Sequence, residues 1–345
     1  MKGKLLLVIF IAFFLFCAGQ IFGRLKVEPA PADLSSAVLN AVEKEEEPLE
    51  KVVFVGDMMF DRGVEDYMQA TSFSYPMEMI RGFLDRFDFS VGNLEGPINE
   101  KPKEFSDESL MFSFDKRIVD SLKLGNFKVL SLANNHTLNM ERTGFAETKE
   151  ILEESGISYT GDPIDCDVDY VYQRDGMTFY ALNVTYPSNC SNKKIAEQIE
   201  GIRFYNPETF LVVLVHWGEE YKTVNSKNQE DLAHKMIDAG TDLVIGGHPH
   251  VVQNIELYNN KLIFYSLGNF IFDQYFSKET QEGLGVGVEI YSKKKVYGLY
   301  GIVNKMSQPK LMDEEENKAF LESLAERSSE ELKESIKNGK IEMGE

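Results

Sequence analysis

The chain has 345 residues, of which 43% are hydrophobic and 12% aromatic, so most of it can bury one large core or two ordinary ones. Its formal net charge of −20 argues against nucleic acid as a partner, because contacts to phosphates need clustered lysine and arginine. The same charge argues against polybasic attachment to anionic lipid and favours a bound divalent cation or a cationic partner. Most of the acidic residues are expected to form a solvated surface.

The N-terminus differs in composition from the rest of the chain. Two lysines precede an almost unbroken apolar stretch from Leu5 to Ala18, as in a secretory signal. With its continuation to Phe22, the stretch approaches the ~20 residues that span a bilayer. Residues 1–23 are therefore predicted to be a signal-anchor or a cleaved signal peptide, and residues 24–50, rich in Ala, Pro and Glu, a linker. Both alternatives place the rest of the chain outside the cytoplasm.

A domain is predicted to begin at Lys51, with a buried strand that stops at Gly56. Strands and helices then alternate, which predicts right-handed βαβ units and a largely parallel sheet. The predicted elements are helix 76–87, strand 89–92, helix 115–124, strand 128–132 and helix 143–155.

The second half of the chain is less regular. Short alternating runs from Tyr170 to Val184, around Asp175 and Gly176, predict a hairpin. Strand 210–215, helix 229–239 and strand 242–245 follow, and then strands at 252–257, 262–266, 285–291 and 296–302 that suggest a second sheet packed on the first. The tail of residues 306–345 includes a charged amphipathic helix, 313–337, expected at the surface.

Cys166 and Cys190 are the two cysteines outside the N-terminal segment. In an oxidising compartment they would close a loop that stabilises the fold by ~3 kcal/mol. Two unpaired thiols are equally compatible with the sequence. Neither cysteine has the partner spacing of a zinc site.

Polar residues follow the predicted strands directly. Asp57 comes after Gly56, and Asn93 and Glu95 close the next strand in SVGNLEG. Ligands gather at such strand ends in α/β sheets, although turn formation is the commoner role of these residue types. The segment SLANNHT gives a stronger signal, because Asn134 and Asn135 are poor strand formers. An amide oxygen there can bind a metal while His136 acts as a general acid.

Three further histidines end apolar strands: His216 in LVVLVHWGEE, and His248 and His250 in LVIGGHPH. The glycines and Pro249 can redirect both imidazoles of the second motif towards one cavity. His234 lies within a helical pattern and is expected to be an ordinary helix residue. The HWGEEY segment adds three residues that could border a cleft or lie at the surface, which are Trp217, Glu219 and Glu220. Gly268 and Asn269 repeat the pattern of a strand followed by Gly-Asn and could support the site from the second sheet.

A ligand set of His, Asp, Glu and Asn without cysteine favours Mn, Zn or Fe over zinc bound by thiolates. The sequence offers more ligands than one tetrahedral site requires, which points to two ions. A pair of ions roughly 3.5–4 Å apart can activate water and hold a phosphoryl oxygen.

Six motifs resemble, in the same order, those of the CapA family, the capsule or poly-γ-glutamate synthesis proteins within the calcineurin-like metallophosphoesterase superfamily. They lie between about Lys51 and Ile302 and are GDMMFDR, GNLEGPI, SLANNHTLNMERTG, HWGEEY, DAGTDLVIGGHPHVVQNIE and YSLGNFIFD. The resemblance implies a four-layer α/β/β/α sandwich of the metallophosphoesterase type at residues 51–305, with a metal centre at its strand ends. It also implies a membrane-anchored, extracytoplasmic setting in the bacterial cell envelope.

The resemblance implies a role for each matching residue. Asp57 is similar to the first-strand aspartate ligand, Asn135 to the metal-binding asparagine, and His136 to the catalytic histidine. The later metal ligands are matched by His216, His248 and His250.

Two positions depart from the superfamily pattern. Met59 stands where the histidine of an Asp-x-His motif belongs. Asn93 stands where the bridging aspartate is expected, with Glu95 as the nearby replacement. Both changes weaken one metal position, so the site is expected to hold either one ion or two.

Two functions remain open at this point. The first is a metal-dependent hydrolase that cleaves a phosphoester or a related bond in an envelope polymer through metal-activated water. The second is a non-catalytic, metal-binding accessory protein for assembly or export of an anionic capsular polymer, acting with other membrane subunits. The departures at Met59 and Asn93 favour the second, whereas Asn135, His136 and His216 favour the first.

Overall fold

The computed structural model describes residues 46–105, 109–167 and 172–344. The predicted membrane segment, 1–23, and nearly all of the predicted linker lie outside these residues. Among the described residues, no helix has the length and apolar character needed to cross a membrane.

Strands and helices of the described residues alternate along much of the chain. The strands are β1 (Glu50–Met58), β2 (Phe89–Leu94), β3 (Ile98–Asn99), β4 (Phe114–Asp115), β5 (Phe127–Ser131), β6 (Ser158–Thr160), β7 (Tyr172–Arg174), β8 (Met177–Asn183), β9 (Phe210–His216), β10 (Leu243–Gly247), β11 (Ile255–Tyr258), β12 (Lys261–Phe264), β13 (Asn269–Ile271), β14 (Glu282–Ile290), β15 (Lys294–Lys305), β16 (Gln308–Leu311) and β17 (Lys340–Gly344). The helices are α1 (Arg62–Ala70), α2 (Arg81–Leu84), α3 (Ile118–Leu124), α4 (Glu141–Glu154), α5 (Asn192–Tyr205), α6 (Lys227–Asp238), α7 (Lys278–Gln281), α8 (Glu314–Glu326) and α9 (Lys333–Lys337).

The first sheet has the strand order β16-β15-β14-β1-β2-β5-β6, with β13 beside the end of β1 and β17 beside β15. Strands β1, β2, β5 and β6 are parallel, as predicted, while β14 to β17 are antiparallel to their neighbours. The register pairs Asp57 with Asn93, and Asn93 with Ser131. Three strand ends therefore lie side by side at one edge of this sheet.

The second sheet has the order β11-β12-β10-β9-β8-β7. Its four central strands are parallel, and the predicted hairpin forms its β7–β8 edge. The register pairs His216 with both Asn183 and Gly247, so the end of β9 lies between the ends of β8 and β10.

Three apolar clusters define how the elements are layered. One lies between the two sheets and joins Phe54 and Val91 of the first to Phe179 and Leu214 of the second. Another covers the outer face of the first sheet with α1 to α4, and the third covers the outer face of the second sheet with α5 and α6. The described chain is thus a mixed α/β protein of four packed layers. A layer of helices covers the first sheet, the second sheet packs on the first, and a further layer of helices covers the second sheet.

The predicted membership of the second sheet is wrong for two strands. Strands β14 and β15, predicted at 285–291 and 296–302, pair in the first sheet, where β14 lies antiparallel to β1. Only β11 and β12 of that predicted group join the second sheet. The reason is that an apolar pattern indicates a strand but not its partner, and β1 has an edge that the parallel strands do not cover.

Two other local predictions need correction. The expected helix at 76–87 is a 3-10 turn at Tyr75–Met77 followed by the four-residue α2. The tail does contain helix α8, but its Phe320 and Leu324 are buried in the core between the sheets and β17 adds a strand to β15. The tail is therefore part of the packed domain rather than a surface element.

Cys166 and Cys190 form a disulfide, with their Cα atoms 5.7 Å apart. Cys166 is buried in the cluster on the outer face of the second sheet. The alternative of two unpaired thiols is thereby excluded. The bridge joins the segment between β6 and β7 to the segment between β8 and α5, on the helix-covered side of the second sheet.

Candidate metal centre

The strand ends of the two sheets meet around Asp57, which is fully buried. Its Oδ1 accepts a hydrogen bond from Asn93 Nδ2 at 2.8 Å, and its Oδ2 accepts one from the backbone N–H of His248 at 2.9 Å. A Cβ on Gly247 would lie 2.5 Å from Asp57 Oδ1, so the close approach of β10 requires a glycine there. A carboxylate of the first sheet thus holds the GGHPH loop of the second.

Glu95 lies at the middle of the histidines. Its Oε1 is 3.7 Å from His250 Nε2, 3.8 Å from His136 Nε2 and 3.9 Å from His216 Nε2. The side chain is fully buried, and neither oxygen has a hydrogen-bond partner among the described residues. Burial, followed by the negative charge of Asp57, raises the pKa of Glu95 well above its usual range.

Amide oxygens orient two of these imidazoles. His250 Nδ1 lies 2.9 Å from Asn269 Oδ1, an acceptor, so Nδ1 carries the proton and Nε2 faces Glu95 with its lone pair free. His216 Nε2 lies 2.8 Å from Asn135 Oδ1. Two ligand atoms on one octahedral ion, each about 2.1 Å from it, are also about 3 Å apart, so this pair can share an ion.

His136 lies at the rim, with its side chain 14% exposed. Its ring packs 4.4 Å from that of Phe112, and its Nδ1 is 3.1 Å from Asn139 Oδ1. Burial lowers the pKa of His136 to about 4. His248, whose buried Nδ1 has no hydrogen-bond partner among the described residues, also has its pKa lowered by burial to about 4. Both rings are therefore neutral near pH 7, the form that binds metal.

The other asparagines connect the loops. Asn134 Oδ1 accepts from the backbone N–H of His136 and of Thr137, and its Nδ2 donates to the carbonyl of Leu94 at 2.8 Å. Asn93, predicted as a ligand, lies at the site, where its Oδ1 accepts from Asn134 Nδ2 at 3.0 Å. Hydrogen bonds within the protein therefore engage both ends of the Asn93 amide.

Met59 supplies nothing to the centre. Its side chain is fully buried in the apolar cluster on the outer face of the first sheet, and its sulfur accepts a hydrogen bond from the backbone N–H of Asp61. Trp217, which the sequence allowed to border a cleft, lines a cleft away from the centre. Its side chain is buried and donates its indole N–H to the carbonyl of Tyr265 at 2.7 Å. His234 lies on α6, as expected, and pairs with Glu256 of β11.

Sequence reasoning missed Arg62 as a neighbour of the site. Its guanidinium lies 4.9 Å from the ring of Phe112, which also packs on His136. One Nη2 atom pairs with Asp273 at 2.5 Å, while its buried Nε has no hydrogen-bond partner among the described residues. The motif GDMMFDR contained this residue, but only the packing of α1 shows that it faces the histidines.

The residues present fit a divalent cation. A buried carboxylate without hydrogen bonds costs several kcal/mol unless a positive charge compensates it. The ligand atoms of Asp57, Glu95 and His250 all lie within 4.8 Å of one another, close enough to approach one ion. This set of oxygen and imidazole donors suits Mn, Zn or Fe.

The described domain is thus a mixed α/β protein with a buried carboxylate and histidine cluster between two sheets, and the residues of this cluster fit a divalent cation. Residues 51–274 match the model of the family described as bacterial capsule synthesis protein PGA_cap, and the chain belongs to this family.

Two relatives share the same percentage of identical residues with this chain. The capsule biosynthesis protein CapA of Bacillus anthracis is 32% identical over 72% of this chain and 66% of its own length. The PGA biosynthesis protein CapA of Bacillus subtilis (strain 168) is 32% identical over 72% of this chain and 69% of its own. A purple acid phosphatase from yellow lupin seeds superimposes with a TM-score of 0.37 and 11% identity, over 76% of this chain and 52% of its own, which is too low to support an inference.

Proposed function

We propose that this protein is a metal-dependent hydrolase in capsule or poly-γ-glutamate synthesis, cleaving a phosphoester or a related bond of an anionic envelope polymer. The observation that carries the proposal is Glu95, fully buried, without a hydrogen-bond partner in the described part of the chain, and within 3.9 Å of three imidazole nitrogens. A divalent ion held there supplies a water of lowered pKa and polarises a phosphoryl oxygen. Asp57, Glu95, Asn135, His216, His248 and His250 would hold it.

His136 is suited to move a proton. Its Nδ1–H donates to Asn139 Oδ1, so Nε2, which points towards Glu95, is the atom that accepts a proton. The pKa of about 4 keeps the ring neutral near pH 7. His136 would therefore take a proton at Nε2 from the attacking water and then give it to the leaving oxygen, which combines base and acid roles in one ring.

Arg62 would bind the anionic group of the substrate. In a chain of net charge −20, an anion needs a local positive charge to enter the site. The guanidinium is held at the rim by Asp273 and the ring of Phe112 and has donors that this ion pair does not use. The proposed substrate is accordingly an anionic polymer or phosphoester.

The proposed setting is the outer face of the bacterial membrane, with the segment 1–23 as signal-anchor or signal peptide. The disulfide between Cys166 and Cys190 supports it, because such bonds persist mainly in oxidising compartments. Other membrane subunits of capsule synthesis are part of the same proposal.

A non-catalytic accessory role is the second candidate. The burial of Met59 and the engaged amide of Asn93 favour it, because each removes a ligand that the superfamily pattern contains. In that case the ion would bind carboxylates of the polymer without cleaving it.

Metal analysis and a phosphodiesterase assay on the same preparation separate the two functions. The full-length chain, purified in mild detergent, would be loaded with Mn²⁺, Zn²⁺ or Fe²⁺ and tested on bis(p-nitrophenyl) phosphate. We expect turnover that His136→Ala reduces by about 10²–10⁴-fold while the bound metal remains. Stoichiometric metal without turnover for any of the three ions would overturn the hydrolase and leave the accessory role.

A further inference from the structure

We infer that Glu220 is a ligand of the divalent ion, together with His248 and His250, and that it replaces the histidine missing at position 59. The inference rests on the proposed metal centre but not on hydrolysis. Glu220 follows β9 in the HWGEEY segment, where the sequence left both a cleft and the surface open.

The geometry brings the Glu220 carboxylate to the two imidazoles. The ligand atoms of Glu220, His248 and His250 all lie within 4.8 Å of one another. This spacing is close enough for the three groups to approach one ion, and the group shares His250 with the one formed by Asp57 and Glu95.

Backbone hydrogen bonds fix the loop that carries Glu220. The N–H of Trp217 donates to the carbonyl of Gly247 at 3.1 Å, and the N–H of Tyr221 donates to the carbonyl of Pro249 at 2.8 Å. Both bonds join the HWGEEY loop to the GGHPH loop. Glu220 is thus anchored on either side of its own position, facing His248 and His250.

Unpartnered polar atoms point to a cation at this place independently of Glu220. His248 Nδ1 and both oxygens of Glu95 are buried and lack hydrogen-bond partners among the described residues. Glu95 is 0% exposed, so bulk solvent does not reach its carboxylate.

The first strand cannot supply the missing ligand. Met59 is buried beneath the sheet, and its sulfur is engaged by the backbone N–H of Asp61. A carboxylate from the second sheet is chemically suitable in its place, because Mn, Zn and Fe accept both imidazole and carboxylate ligands.

The neighbouring Glu219 is a matched control. It has the same charge and lies one residue away, but it lines a separate surface cleft with Trp217, Asn228 and Gln229. Glu219 belongs to neither group of ligand atoms found among the described residues. Replacing either glutamate by glutamine removes one negative charge, so only position distinguishes the two variants.

The test is a Mn²⁺ titration of the full-length chain, freed of metal with a chelator and purified in mild detergent. Free Mn²⁺ is counted by electron paramagnetic resonance for wild type, Glu220→Gln and Glu219→Gln. We expect Glu220→Gln to weaken Mn²⁺ binding by about tenfold or more and Glu219→Gln to change it by less than about twofold. Because Glu220 is exposed, all three metal-free proteins should melt at the same temperature.

Equal Mn²⁺ affinity in wild type and Glu220→Gln would overturn the inference. An equal loss in both variants would also overturn it, because the effect would then be one of net charge. Wild type that binds Mn²⁺ without turnover would overturn the proposed hydrolase and leave the role of Glu220 intact. Wild type that binds none of Mn²⁺, Zn²⁺ and Fe²⁺, the last two measured by elemental analysis, would overturn both.

Discussion

The two sheets contribute different chemistry to the centre. The first sheet supplies oxygen atoms, from the carboxylates of Asp57 and Glu95 and the amide of Asn135, with His136 as its one imidazole there. The second supplies mainly imidazoles, which are those of His216, His248 and His250, together with the inferred carboxylate of Glu220. Since the carboxylates carry the charge and the imidazoles surround it, neither sheet forms a complete site. The centre therefore requires the packed interface between the sheets.

The residues around the Asp57 carboxylate also differ in backbone conformation. Asp57 and Asn93 are in extended strands, whereas His248 and His250 have positive φ angles of 93° and 57°. Such non-glycine conformations cost about 1–3 kcal/mol each and persist where surrounding contacts hold them. Here the first sheet contributes one of those contacts, from Asp57 to the N–H of His248. Asp57 of the first sheet thus helps to hold the backbone conformation of the loop that carries His248 and His250.

Removing an imidazole of the second sheet should have the largest effect. We expect His216→Ala to lower Mn²⁺ affinity by about 100-fold or more, because even a residue that only supports a ligand is worth about 10–100-fold. Calorimetric titration measures the change. His234→Ala, on α6 and paired with Glu256, is the control and should bind as wild type does. Unchanged affinity in His216→Ala would show that His216 is not a ligand of the ion.

The positively charged side chain of Arg62, beside the first sheet, should affect the binding of substrate rather than the binding of metal. We expect Arg62→Ala to raise the KM for an anionic phosphodiester by about 10–100-fold, since a hydrogen bond to a charged group contributes about 1.5–3 kcal/mol. Steady-state kinetics at saturating Mn²⁺ measure this. Arg117→Ala, an exposed residue paired with Asp115, should leave KM unchanged. A fall in Mn²⁺ affinity instead would place Arg62 among the groups that support the metal.

Substitutions of the neighbouring Asn134 and Asn135 should have different effects, one on the stability of the fold and the other on metal binding. Asn134→Ala removes the acceptor of two buried N–H groups, and we expect the free energy of unfolding to fall by about 1–3 kcal/mol. Asn135→Ala should leave unfolding nearly unchanged and weaken Mn²⁺ binding. Urea unfolding of the metal-free proteins and Mn²⁺ titration provide the two measurements. The reverse pattern would exchange their roles.

The smallest effect is the dependence on pH. Because the pKa of Glu95 is raised from 4.5 in the metal-free protein, its proton competes with the cation until the pH exceeds that raised value. Mn²⁺ affinity should therefore rise with pH, by at most about tenfold per pH unit for one proton, and then level off. His136 and His248, with pKa values of about 4, are already neutral over this range. Glu95→Gln should flatten the dependence.

The sequence motifs predicted which strand ends of the two sheets come together at the candidate site. Asp57, His216 and His248 each stand at the end of an apolar run, and parallel strands bring their ends to one edge, so their convergence follows from pattern and topology. The family assignment follows from the same motifs. Residue roles in catalysis remain predictions until the kinetic tests are made.

What the sequence could not predict depends on partners far along the chain. Strand β14 has an ordinary strand pattern, and only the uncovered edge of β1 determines that it returns to the first sheet. Arg62 gave no signal of its own, and for Glu220 the sequence left both a cleft and the surface open. The approach of each residue to the site depends on how α1 and the loop after β9 pack. Asn269 was predicted to support the site from the second sheet, whereas β13 places it beside β1 in the first.

The antiparallel pairing of β1 with β14 has a consequence for folding kinetics. Glu50 pairs with Ile290, so one edge of β1 has no hydrogen-bonding partner until residues that are synthesised much later are available. Contacts so distant along the chain form slowly, because the intervening segment loses entropy when its ends meet. During that delay β1 presents an unsatisfied, apolar strand edge, the kind of surface that aggregates or recruits a chaperone. We expect chains truncated before β14 to be insoluble even though every residue of the first sheet's parallel half is present.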